Sequence, residues 1–168
     1  MGCNCSCGCG EQKTVGTAKC PLCAKNGVAV PLTAVSNLVK PDKKHLITAR
    51  QKYYLCLNSK CPTSYFDKSG ATVLKRGNLK VELWYKENAK KKVACYCNNI
   101  TYDQVKAQVI KNNKLTWKEI VSAYRKKPIA KCDKLNPTGN CCFQVFYGMV
   151  NAILKEAGRK PLKYSACC

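Results

Sequence analysis

Between Lys19 and about Tyr85 the apolar positions fall in short runs rich in β-branched and aromatic residues. Val28 to Val30, His45 to Leu57 and Ala71 to Tyr85 are such runs, set between turn signals. Asp67-Lys-Ser-Gly70 and Arg76-Gly-Asn78 read as turns of a meander. Lys86 to Lys92, K-E-N-A-K-K-K, has one alanine as its only apolar residue, which predicts a solvated linker and a domain boundary. Beyond it the apolar spacing becomes helical. Two capping boxes, Thr101-Tyr-Asp-Gln104 and Thr116-Trp-Lys-Glu119, precede Val105 and Val109 in one case, and Ile120, Val121 and Tyr124 in the other. Lys126-Lys-Pro128 should end the second helix. A longer helix is predicted over about 142–156, where Val145, Phe146, Met149, Val150, Ile153 and Leu154 share one face, with Ala157-Gly158 closing it. The reading is α+β: a flexible arm over 1–11, a small β-rich domain over 12–90, a small helical domain over 91–160 and a tail over 161–168.

The chain has 168 residues, 30 Lys and Arg against 9 Asp and Glu, a formal charge of +21, 15 cysteines and a single histidine. The 46% apolar fraction is ordinary for a folded chain of one medium or two small domains. No window approaches the roughly 20 apolar residues that span a bilayer, and Met1 to Gly10 lacks the apolar middle of a secretory signal, so a cytoplasmic protein is expected. Dense cysteine means either a disulfide framework or thiolate ligands for metal. Close pairs such as Cys95 and Cys97, or Cys141 and Cys142, are poor mutual disulfide partners but natural chelating pairs. An odd total points the same way.

Cys20-Pro-Leu-Cys23 and Cys56-Leu-Asn-Ser-Lys-Cys61 supply two loop pairs, hence four thiolates for a closed tetrahedral zinc site of the zinc-ribbon type. Iron could occupy the same sulfurs. His45 lies on a basic segment and reads as a solvated side chain rather than a ligand. A second set combines Cys95 and Cys97, which project to one side of an extended stretch, with Cys132 and the Cys141-Cys142 pair. Four such thiolates suit a [2Fe-2S] centre. The turn Asn136-Pro-Thr-Gly139 could aim backbone N–H groups at anionic sulfur. Cys142 opens the long helix, whose positive end favours a thiolate. Cys141 is then an alternative ligand, a buried thiol or a reactive accessory thiol.

Cys20-Pro-Leu-Cys23, Tyr53-Tyr-Leu-Cys56 with Cys61 and Tyr65-Phe66, Cys95-Tyr-Cys97-Asn-Asn-Ile-Thr101, and Cys132 with Asn136-Pro-Thr-Gly139-Asn-Cys141-Cys142 together carry a resemblance. Over most of its length the chain resembles the N-terminal domain of CopZ-type copper chaperones, which joins a zinc-ribbon-like half to a half like bacterioferritin-associated ferredoxin. The resemblance implies zinc on Cys20, Cys23, Cys56 and Cys61, and a [2Fe-2S] cluster on Cys95, Cys97, Cys132 and Cys142. Family members that deliver copper carry a separate heavy-metal-associated domain, and nothing after Lys160 is expected to form one. Cys3, Cys5, Cys7 and Cys9 of the arm, or Cys167 and Cys168 of the tail, are soft enough to hold Cu(I) in its place. The alternative is that these ends carry thiols with no fixed ligand.

Two centres that each carry a charge of −2 would leave the loaded chain at about +17. That excess favours an acidic protein partner, such as a metal-transporting ATPase or a redox protein. The leading expectation is an iron-sulfur and zinc protein acting as a metallochaperone, for copper, or as a one-electron redox partner in metal homeostasis. The alternative is a basic zinc-ribbon module that binds nucleic acid through Tyr53, Tyr54, Tyr65 and Trp84. A disulfide-stapled secreted protein is the third class. Met1-Gly2-Cys3-Asn4-Cys5-Ser6 fits a myristoylation pattern, but that chemistry needs a eukaryotic host and the resemblance is to prokaryotic proteins. No base stands near a nucleophile in any recognised motif, so no catalytic residues and no enzyme activity are predicted.

Overall fold

A computed structural model describes residues 16–164. Cys3, Cys5, Cys7, Cys9, Cys167 and Cys168, the thiols expected to hold Cu(I), lie outside the described residues. Internal contacts divide the chain into two units, one built from 16–91 with 132–140 and the other from 92–131 with 141–164.

The first unit is an antiparallel sheet in chain order, β1 (Thr17–Lys19), β2 (Asn26–Val30), β3 (Tyr53–Cys56), β4 (Thr63–Asp67) and β5 (Val73–Lys75). Both faces of its centre are covered, so the strands are buried at every position rather than at alternate ones. Tyr53, Leu55, Tyr65 and Leu74 face one core with Val30, Val35, Val39, Leu79 and Leu83. Tyr54 and Phe66, with ring centroids 5.7 Å apart, face the other with Cys20, Cys56 and Cys61. Gly27 pairs with Cys56, and a Cβ there would sit 2.7 Å from the Phe66 ring and 2.8 Å from the Leu55 carbonyl oxygen. Only glycine lets the second strand close on this face.

Several sequence expectations change here. Most of the run from His45 to Leu57 is not strand: Pro41 opens a 3-10 turn over Pro41–Leu46, and residues 48–52, polar except for Ala49, delay the strand until Tyr53. Ala71 to Tyr85 gives only β5, because a second 3-10 turn (Arg76–Asn78) swings Leu79 and Leu83 into the core as irregular chain. Two helices, over Leu32–Leu38 and Cys132–Leu135, are not predicted by the sequence pattern. Helix α1 (Leu32–Leu38) starts after Pro31 and buries Ala34, Val35 and Leu38. Lys86 is the largest correction, since it is not part of a solvated linker: it is 3% exposed, and its ammonium donates to the carbonyls of Asn58, Cys61 and Thr63.

The second unit begins with the hairpin β6 (Val93–Cys95) and β7 (Ile100–Thr101). Helix α2 (Tyr102–Asn112) follows a capping box in which Gln104 N–H donates to Thr101 Oγ1, and Thr101 N–H donates to the Gln104 side chain at 2.9 Å. Helix α3 (Trp117–Ser122) repeats the device with Thr116 and Glu119. It stops at Ser122, well before Pro128, and leaves Tyr124 37% exposed with its hydroxyl donating to Gln104 O. In the first unit, helix α4 (Cys132–Leu135) packs on α1, where Thr33 Oγ1 donates to Asp133 O at 3.0 Å. Tyr65 OH donates to Pro137 O at 2.8 Å and holds the following turn. Helix α5 (Phe143–Glu156) returns to the second unit, where it packs on α2 and α3 and buries Phe146, Met149, Val150, Ile153 and Leu154. Val145, expected on the apolar face, is 45% exposed. Gly158, at φ 68, closes the helix as predicted.

Candidate metal centres

The first knuckle forms because the chain leaving β1 turns back on itself at once. Ala24 N–H donates to Cys20 O at 2.8 Å and Cys20 N–H to Lys25 O at 2.9 Å, which requires a left-handed Ala24 at φ 57. The second knuckle lies between β3 and β4, where Cys61 N–H donates to Asn58 O and Lys60 N–H to Asn58 Oδ1. Two hairpins of one sheet therefore deliver two cysteine pairs to one point. The four sulfurs of Cys20, Cys23, Cys56 and Cys61 all lie within 4.8 Å of one another. Cys20 Sγ is 4.0 Å from Cys61 Sγ, and Cys23 Sγ is 3.7 Å from Cys56 Sγ. A tetrahedron with Zn–S bonds of about 2.3 Å has sulfur edges of about 3.8 Å, so the donor set fits zinc in type, number and spacing. Cys20, Cys56 and Cys61 are buried and Cys23 half-buried, the shielding expected of a structural site with no open position. Burial pushes the Cys56 thiol up to about 12. Cys23 also feels burial, but the Lys25 backbone N–H and the Asn58 side chain bring it down to about 6.

In the second unit, Cys95 closes β6, Cys97 follows in the turn to β7, and Cys142 is the N-cap residue of α5. Cys95 is buried, and hydrogen bonds from the Cys142 and Cys97 thiols, aided by Asn98, lower it to about 3. Asn98 was read in the sequence only as part of a motif, yet it organises this site. It is 2% exposed, its Nδ2 donates to Cys95 Sγ at 3.3 Å and to Ile129 O at 2.8 Å, and its Oδ1 accepts Ile129 N–H at 2.9 Å. Arg125 Nε donates to Asn98 O at 2.9 Å. A locked amide aimed at sulfur is the outer-shell device that tunes thiolate-bound metal. Cys141 is half-buried and adjoins Cys142. Cys132 begins α4, in the segment that belongs to the first unit. In the turn that follows, Gly139 takes φ 69, but the N–H groups of Thr138, Gly139 and Asn140 donate to Asn136 Oδ1, Asn136 O and Thr138 Oγ1, so the turn closes on itself and does not aim these donors at sulfur as the sequence suggested.

The remaining expectations sort simply. His45 is exposed, as a solvated side chain should be. Tyr53, Tyr54 and Tyr65 are buried in the sheet cores and offer no ring face to a nucleic-acid base, which leaves the half-buried Trp84 alone of the four rings on which that alternative rested. Among the described residues no helix is long and apolar enough to cross a membrane.

A sheet that converges four cysteines, joined in sequence to a helical unit with its own buried thiols, defines a cysteine-rich metal-binding domain of two parts. Residues 17–80 match the family model described as the CopZ-type zinc binding domain. The chain is 32% identical over 124 residues to the copper chaperone CopZ of Archaeoglobus fulgidus, a match that covers 74% of this chain and 57% of that protein. The chain thus spans little more than half the length of that relative. The X-ray structure of the Archaeoglobus fulgidus CopZ N-terminal domain superposes with a TM-score of 0.59 at 29% identity, covering 84% of this chain and 98% of that one. The described residues form a CopZ-type N-terminal domain, α+β in class.

Proposed function

We propose that the chain is a metallochaperone-type protein of metal homeostasis whose first unit holds a structural zinc and whose second centre holds a [2Fe-2S] cluster. The observation that carries the first half is the convergence of Cys20, Cys23, Cys56 and Cys61 at tetrahedral spacing. The second half rests on Cys95, to which the Cys142 and Cys97 thiols and the Asn98 amide are hydrogen-bonded, and on the family resemblance, which implies Cys132 as the fourth ligand. Cys142 is preferred to Cys141 because it caps the 14-residue helix α5 and so meets its positive end, leaving Cys141 as the accessory thiol.

When bound, such a cluster accepts or releases one electron. The chain's own part is to hold the sulfurs as thiolates, donate to them from Asn98, and shield Cys95 and Cys142 from water. The copper chaperone in whose N-terminal domain this fold recurs supports a role in copper handling, in the cytoplasm, toward an acidic metal-transporting or redox partner. Cu(I) is assigned to Cys3, Cys5, Cys7, Cys9, Cys167 and Cys168. Anaerobic purification with metal and sulfide analysis tests the reading, with about two iron, two sulfide and one zinc per chain expected. A colourless protein without inorganic sulfide would overturn the cluster. Cu(I) binding unchanged by removal of residues 1–10 and 167–168 would overturn the copper assignment.

A further inference from the structure

Lys86 heads a run of lysines that composition alone would place in water, and Glu87, Asn88, Lys90, Lys91 and Lys92 beyond it are indeed exposed. Lys86 is 3% exposed. Its backbone is fixed first: Lys86 N–H donates to Leu83 O at 2.9 Å, with Leu83 in the core, and Glu87 N–H donates to Ser59 O at 3.1 Å. The side chain then runs beneath the second knuckle. Nζ donates to Asn58 O at 2.8 Å, Cys61 O at 3.2 Å and Thr63 O at 2.8 Å, so all three ammonium hydrogens are used on the second knuckle and the start of β4.

These carbonyls satisfy the donors but not the charge. Burying a cation without an anion is strongly unfavourable, and neither ion pair found among the described residues, Lys43–Asp42 and Lys106–Glu156, involves Lys86. The anion that balances it is the thiolate set. Four thiolates around a divalent ion carry a net charge of −2, and the ammonium, bonded to the carbonyl of the ligand residue Cys61 at 3.2 Å, is the buried cation set against them. A compact ammonium suits three converging carbonyls in a way a planar guanidinium does not. We propose that Lys86 is the built-in counter-ion of the zinc centre and the clamp of its second knuckle. It is a positioning residue that makes metal retention depend on a buried positive charge.

The inference rests on the zinc reading and is tested in the full chain. Lys86→Met keeps the length of the stem and removes the charge. In competition with a chromophoric chelator it should hold zinc about 10–100-fold more weakly, the usual range for loss of an outer-shell partner. A second measurement separates charge from loop structure. With iron in the same four sulfurs, reduction from ferric to ferrous takes the centre from −1 to −2 by one electron from an external titrant. Lys86→Met should shift that potential to more negative values, whereas Leu83→Ala, which loosens the core beside it, should leave it unmoved. Equal zinc retention by Lys86→Met and wild type, or an unmoved potential in Lys86→Met, would overturn the proposal. A wild-type chain that binds no zinc would instead overturn the metal reading on which it rests.

Discussion

The two units treat sulfur in opposite ways. In the sheet unit the four cysteines are brought together by strand pairing, and their surroundings are apolar side chains with a buried ammonium underneath. Burial there pushes Cys56 up to about 12, while the half-buried Cys23, also raised by burial, is brought down to about 6 by hydrogen bonds from the Lys25 backbone and the Asn58 side chain, so metal is what would draw the buried Cys56 into thiolate form. In the helical unit, donors are aimed at Cys95 and bring it down to about 3. A site that only has to stay closed needs ligands at the right spacing. A site whose electron density must be tuned needs N–H groups on its sulfurs, and the locked Asn98 amide provides one. The difference is the one that the proposed structural zinc and the proposed cluster would each require.

The largest effect should come from removing a ligand of the closed site. Cys56→Ala leaves three sulfurs, and since small zinc domains draw roughly 10 to 16 kcal/mol of apparent folding free energy from the ion, the first unit should lose both zinc and cooperative structure. Metal analysis with amide exchange checks this: protection in β3 and β4 should collapse while α2 and α5 stay protected. Collapse of both units together would erase the contrast between them.

Asn98→Ala should act on the other side of the comparison with a smaller cost to the fold, on the order of 1–3 kcal/mol for the Ile129 N–H and C=O that lose their buried partners. Its distinguishing effect is electronic. Loss of a donor to Cys95 makes the reduced, more negative cluster less favourable, so a redox titration of the loaded protein should give a more negative midpoint. The same substitution should leave zinc stoichiometry unchanged.

How much of this was legible in the sequence depends on whether a feature is local. Both capping boxes were readable because a cap is settled within four residues, and the metal knuckles because each pair is short and flanked by turns. Helix α1 was missed although Ala34, Val35 and Leu38 are at helical spacing, since seven residues are too few to separate from a loop. The strain at Ala24 left no trace, because the knuckle takes its left-handed residue without glycine. Lys86 and Asn98 were invisible as functional residues for a deeper reason. Their roles are conferred by Asn58, Cys61 and Thr63 in one case, and by Cys95 and Ile129 in the other, groups 23 to 31 residues away or beyond a turn that no local pattern links to them. Composition made Lys86 one solvated lysine among many, and only tertiary burial distinguishes it.

The smallest expected effect concerns what holds the second unit apart from metal. Its two capping boxes differ in one respect: α2 uses the neutral Gln104 where α3 uses the ionisable Glu119. Hydrogen bonds from the Thr116 hydroxyl and backbone N–H hold the Glu119 carboxyl below its usual range. A depressed folded-state pKa means that the stabilisation is present above the unfolded value of about 4.3 and is lost as pH falls through the lower folded value. Glu119 is exposed, so water screens the interaction and its worth should stay below about 0.5 kcal/mol. The stability of Glu119→Gln relative to wild type, followed by thermal melts of the second unit's helical signal, should therefore show a slight deficit at pH 7 that closes below about pH 4.3. A carboxyl resonance of Glu119 titrating at its ordinary value would show that the Thr116 bonds do not form in solution. If it titrates low and Thr116→Ala restores it, then the helical unit has local, pH-sensitive support that does not depend on metal.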